Sequence, residues 1–141
     1  MDHLEAIRRQ RTSGKVLGGA AEGGASLGDL AAGFGLKGDP ATYREIDDAL
    51  AREILVGILH RDLAYGTRLM ALETAESLAG NFLAHLVEPG AKLFTNGEFQ
   101  RTAGTALVMS RWNPATASTF DTGVLALGAH RSACLWVAEE G

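Results

Sequence analysis

From Asp39 onward the apolar residues recur at helical spacing. Tyr43, Ile46, Ala49, Leu50, Ile54, Ile58 and Leu59 fall on one stripe. Asp39-Pro40 places an N-cap residue before a proline in the first turn, so the pattern predicts a helix from about Pro40 to Leu63 that ends before Tyr65-Gly66-Thr67. Between Ile54 and Leu59 this segment is apolar almost all round, which predicts burial on more than one side. A second helix is expected over about Leu72–Val87, with Ala75, Ala79, Phe82 and Leu86 inward. Glu73 and Glu76 fall in its first turns, where the helix dipole favours negative charge, and Glu88-Pro89-Gly90 stops it.

After Gly90 the apolar period changes from 3.6 to 2. Lys92–Thr95 and Glu98–Arg101 flank Asn96-Gly97, a strong hairpin signal because a type I′ turn needs positive φ at both central residues. Thr105–Trp112 reads as a further strand. Thr122–Leu127 and Ser132–Ala138 read as a last hairpin, and their continuous apolar runs predict cover on both faces. Before Asp39 the signals are weaker. Residues 3–11 suit a short helix, and Ser26 can cap another over about Leu27–Phe34 with Gly35 as its left-handed end. The Gly-rich run from Gly14 to Gly24 is a poor helix and reads as loop.

The expected fold is therefore α+β: two long helices packed on one face of an antiparallel sheet of four or five strands, helices first in sequence. A length of 141 residues suits one domain. It divides into a Gly-rich, partly irregular segment 1–38, a helical segment 39–90 and a stranded segment 91–141. The formal charge is −4. Segment 39–90 alone carries four basic and nine acidic residues, so the acidity belongs to the helices. Nucleic acid and anionic membranes, which need clustered positive charge, are poor partners for such a chain. A single cysteine and a start without an apolar leader pattern suggest a cytoplasmic setting.

The motif search removes more chemistry than it offers. Gly33-Phe34-Gly35-Leu36-Lys37-Gly38 has dinucleotide-loop spacing but lacks the strand before it and the helix opening at it, and reads as a helix stop. His60-Arg61-Asp62-Leu63 matches four residues of a kinase catalytic loop. Position 67 is Thr where that loop needs Asn, and no D-F-G follows. His3, His60, His85 and His130 are scattered without metal-ligand spacing. Cys134 lies between apolar residues in a strand, a setting for core rather than for a nucleophile. No catalytic constellation, metal or cofactor is expected.

Three functional readings remain. In the first, this is a small acidic binding domain, an inhibitor, immunity or antitoxin-like partner of a basic protein, with Glu45, Asp47, Asp48, Glu73 and Glu76 as the contacting carboxylates. In the second, it is a small enzyme or ligand-binding domain with a pocket near His60, Asp62, Tyr65 and Arg68, and Trp112 beside them. In the third, it is a subunit of a homo-oligomer.

Overall fold

A computed structural model describes residues 3–101 and 107–141. The chain is α+β, with elements in the order α1 (His3–Gln10), β1 (Lys15–Glu22), α2 (Leu27–Gly33), a 3-10 turn (Pro40–Thr42), β2 (Arg44–Ile46), α3 (Asp48–His60), α4 (Leu72–His85), β3 (Lys92–Thr95), β4 (Gly97–Arg101), β5 (Leu107–Trp112), β6 (Phe120–Leu127) and β7 (Arg131–Glu139). Five strands form one antiparallel sheet in the order β1-β7-β6-β3-β2, and β4 and β5 form a separate two-stranded ribbon.

The expectation of long helices that come first is corrected on three counts. The helices are short, and two strands precede α3. The Gly14–Gly24 run, expected as loop, holds β1, which pairs with β7 from Lys15 opposite Ala138 to Glu22 opposite Arg131. Gly18 has φ +146°, and a Cβ there would stand 2.1 Å from the Cys134 carbonyl oxygen. Close backbone approach across the β1–β7 pair, not helix propensity, explains glycine at this position. The single helix expected from Pro40 to Leu63 is three elements: Asp39 caps only the 3-10 turn, accepting from Ala41 N, while Asp47 caps α3 by accepting from Leu50 N at 2.8 Å. Tyr43 and Ile46 accordingly lie outside the helix.

The sheet is covered on both faces, as the apolar runs of β6 and β7 require. Val124, Ala126, Ala133, Leu135 and Val137 face a core filled by α1, α3 and α4, where Leu55, Leu59 and Phe82 have no exposed surface. Burial of each such side chain contributes about 1.5–3 kcal/mol. The alternate residues Leu125, Cys134 and Trp136 face a second, smaller core under α2, Leu36 and Tyr43. Helical cover is therefore not confined to one face.

The Asn96-Gly97 hairpin is also corrected. β3 and β4 do not pair with each other: β3 pairs with β2 and β6, and β4 pairs with β5. Asn96 is the corner at which the chain leaves the main sheet for the ribbon. Its amide donates to Asn113 O (2.8 Å), Asp121 O (3.0 Å) and Asp121 Oδ1 (2.9 Å). Asp121 is wholly buried, and its carboxylate also accepts from Trp136 Nε1 (3.1 Å), Ala115 N (3.1 Å), Thr116 N (3.1 Å) and Thr116 Oγ1 (3.0 Å). A buried carboxylate needs donors of this number to offset its desolvation.

A second buried charge ties the ends of three elements together. Arg11 donates from Nε to Ile58 O (2.5 Å), from Nη1 to Ser13 O (2.5 Å) and from Nη2 to the Glu139 carboxylate. Glu139 in turn accepts from Leu63 N at 2.9 Å and Ala64 N at 3.4 Å. Ile58 lies in the last turn of α3, whose carbonyls have no partner within the helix, so Arg11 completes that helix end. Glu139, the last residue of β7, is 3% exposed.

Candidate functional site

The ribbon β4–β5 stands away from the main sheet and leaves a groove of about 590 Å³ between itself and α3. One wall is α3, with Ile54, Val56, Gly57 and Ile58. The opposite wall is the ribbon, with Phe99, Val108, Met109 and Trp112. Phe120 of β6 reaches the groove as well, and its ring lies 5.6 Å from that of Trp112. The charged rim is mixed. Arg52, Arg61 and Arg101 stand with Glu53, Asp62 and Glu76, and Arg101 of the ribbon is ion-paired to Glu53 of α3 across the groove.

Local sequence builds the end of this groove. α3 stops at His60, and the chain reverses through a tight loop in which Leu69 N donates to His60 O (2.8 Å), Asp62 N donates to Thr67 O (3.0 Å), and Arg61 and Arg68 face each other as an isolated antiparallel bridge. Asp62 Oδ1 accepts from Tyr65 N at 2.8 Å and Thr67 N at 3.3 Å, an Asx-type turn. Arg61 donates to Gly66 O at 2.8 Å. His60 Nδ1 lies 2.9 Å from Met70 O; because a carbonyl only accepts, Nδ1 carries a proton and Nε2 is the nitrogen free to face a ligand.

The four residues proposed for a pocket thus share one loop but only two share the cavity. His60 and Asp62 line the groove; Tyr65 and Arg68 do not. Tyr65 projects into solvent at 76% exposure. Trp112 does line the groove, on the wall opposite.

The proposed carboxylates divide into two groups. Glu45, Asp47 and Asp48 are exposed around the N-terminus of α3, and Glu73 and Glu76 are exposed in the first turns of α4. The two helices run antiparallel, since Met70 before α4 meets His60 at the end of α3. The groups therefore lie about 20 Å apart, the length of a 13-residue helix. Only Glu76 of the five reaches the groove.

Cys134 is fully buried, and burial pushes its thiol well above the ordinary range. Among the described residues no three His, Cys, Asp or Glu side chains gather as a group able to hold a metal ion, and no helix is long and apolar enough to cross a membrane. Gly57, Phe99, Val108 and Met109 escaped sequence reasoning. The available signal was the alternation of Val108 with its neighbours, which leaves an apolar side chain on the open side of β5. Comparison with protein-family models, with curated proteins and with solved structures finds no match for this chain.

Proposed function

We propose that this chain works by binding a protein, as an inhibitor, immunity or antitoxin-like module, and that the groove between α3 and the β4–β5 ribbon is where the partner docks. One observation carries this reading: apolar surface continues from the groove onto the outside of the molecule. Among the described residues three large hydrophobic side chains are exposed, and two of them, Leu72 (45%) and Val108 (46%), stand at the groove. Tyr65 is the third, three residues along the loop from Asp62. An apolar centre with a charged rim is the anatomy of a docking surface. Carboxylates at both ends of the helix pair, in a segment with nine acidic and four basic residues, favour a basic partner and speed its approach.

A second reading, a small-ligand pocket with or without catalysis, draws on two facts. The groove volume lies within the roughly 300–1,000 Å³ common for ligand sites, and His60 is among its lining residues. Asp62, however, is committed to its turn and is not poised as a partner base for that imidazole.

The test is affinity capture from the source cell with the wild-type chain, Leu72→Ser and Val108→Ser. Both positions are exposed, so the fold should survive the changes. Docking at the groove predicts a captured protein that is basic, is lost with either variant, and dissociates more readily as salt rises. Retention of that protein by both variants would refute the groove, and a salt-insensitive complex would refute the electrostatic part. Loss of a bound small molecule, with no protein captured, would establish the second reading instead.

A further inference from the structure

The main sheet ends in two edge strands of different character. β2 is three residues long. β1 runs for eight residues and is paired on one side only, to β7. Two hydrogen bonds show which of its backbone groups face outward. Gly23 N donates to His130 O at 3.0 Å, continuing the register that sets Glu22 opposite Arg131. By alternation Leu17, Gly19 and Ala21 turn their N–H and C=O toward β7. Val16 O instead accepts from Arg8, from Nε at 3.2 Å and Nη2 at 3.0 Å, so Val16, Gly18, Ala20 and Glu22 face away from the sheet. The alternation survives the positive φ of Gly18 and Gly19, because Leu17 and Ala21 pack on the same smaller core while Val16 packs on the larger one. Among the described residues no hydrogen bond reaches the outward backbone of Gly18, Ala20 or Glu22. The usual defences of an open edge are missing here. β1 has no proline, its register with β7 runs without a bulge, and its charges, Lys15 and Glu22, stand at its ends.

We infer that β1 pairs antiparallel with β1 of a second copy of this chain, across a two-fold axis at Ala20, so that one sheet runs through both copies. Arg8 selects the register. Antiparallel pairing sets outward positions opposite one another, and a register that reached Val16 would displace the guanidinium from Val16 O. The longest pairing that leaves Arg8 in place sets Ala20 opposite Ala20 of the second copy and Gly18 opposite its Glu22. Gly19 then faces Ala21, and no bulky side chain holds the strands apart. The same register matches charge. Glu22 shares the sheet face of Val16, the face on which α1 packs. Glu22 of the second copy therefore stands diagonally across from Val16, about 7–8 Å away and within reach of Arg8. Arg8 and Glu22 are both exposed, and among the described residues neither has an ionic partner in its own chain. The two-fold axis makes this contact twice. The edge is separate from the groove, and the pairing holds whether or not a protein docks there.

The test is sedimentation equilibrium of the full chain from low micromolar to millimolar concentration. The wild type should show a reversible monomer–dimer equilibrium. Ala20→Pro removes the N–H at the centre of the pairing but none from the β1–β7 ladder, because that N–H points outward. It should sediment as a monomer with an unchanged far-ultraviolet circular dichroism spectrum. Glu22→Lys should weaken the dimer about tenfold, since like charges replace two exposed ion pairs. The Arg8→Glu/Glu22→Lys double variant should recover most of that loss, which a purely structural effect on β1 would not give. A wild-type chain that stays monomeric throughout would overturn the assignment, as would a dimer that persists in a folded Ala20→Pro protein. Should Ala20→Pro fail to fold, the charge variants decide: a dimer indifferent to Glu22→Lys, or not recovered by the double variant, uses another surface.

Discussion

Gly57 offers the most direct test of the groove. It lies within α3, where a glycine is less favourable than alanine by about 0.8–1.0 kcal/mol. A Cβ placed there meets nothing within 4 Å, so Gly57→Ala adds no clash and removes no contact. The substitution also narrows the unfolded ensemble. The net expectation is a gain of about 0.5–1 kcal/mol, which for a domain of this size raises Tm by roughly 2–5 °C. Gly57→Leu keeps a strong helix former at the position, but its side chain grows into the groove that Gly57 lines. Leucine should therefore leave stability at or above that of the wild type while weakening the captured complex at least tenfold, which corresponds to about 1.4 kcal/mol. Urea titration followed by circular dichroism reads the first quantity, and competition for the captured partner reads the second. A Gly57→Ala protein less stable than wild type would show that this face of α3 is packed and not open. A Gly57→Leu protein that is stable and binds normally would refute the groove as docking site, since the space would then be filled without consequence.

Two further predictions concern stability. Arg11→Met strands the Glu139 carboxylate in the interior and should cost about 3–5 kcal/mol in urea unfolding, whereas the Arg11→Met/Glu139→Leu double variant should recover most of that loss; a single variant within 1 kcal/mol of wild type would refute the buried-pair account. Glu88 feels burial most strongly, which raises its pKa, but bonds from the backbone N–H groups of His130, Ala129 and Arg131 together with the His130 charge prevail and hold it below its usual 4.5. A depressed folded pKa gives stability that is present above the unfolded value and disappears as pH falls through the folded one. Glu88→Gln should accordingly be less stable than wild type at neutral pH, with the gap closing in acid below about 4.5. A gap independent of pH would show that the carboxylate charge is not what holds the β6–β7 turn.

The elements readable from sequence were those whose own residues decide their structure. Ser26 accepts from Asp29 N and Gly35 takes φ +82°, so α2 has the cap and the stop expected of it. α4 follows its Ala-Ala-Phe stripe, and the β6–β7 pair follows its apolar runs. The failures came where a distant strand overrides local preference. β1 is glycine-rich and would not extend unaided; it exists because β7 offers eight residues of backbone to pair with. The Pro40 cap was real but governs only a single turn, because Arg44–Ile46 is drawn into pairing with β3. Asn96-Gly97 lacks the reversal its composition suggested for a related reason. Gly97 is absent from the positive-φ glycines of the described chain, and a Cβ there would stand 2.9 Å from Met109 Sδ. Its smallness serves packing against β5, not a turn.

The candidate site divides along the same physical line. His60, Asp62, Tyr65 and Arg68 attracted notice because they are polar and close in sequence at a helix end. Residues in that position face backbone N–H and C=O groups that have just lost their helical partners, and local side chains satisfy them first. Asp62 does so for Tyr65 and Thr67, and Arg61 does so for Gly66. A polar cluster at the end of a helix is thus weak evidence for chemistry, whereas a cavity wall assembled from residues far apart in sequence has no such local explanation. Gly57, Leu72, Phe99, Val108 and Phe120 come from five different elements, and none answers a backbone need at the place where they meet. The open position at Gly57 and the exposed Val108 are unfavourable for an isolated domain, one for helix propensity and the other for contact with water. A partner that covers the groove removes the second penalty, and it needs the space left by the first.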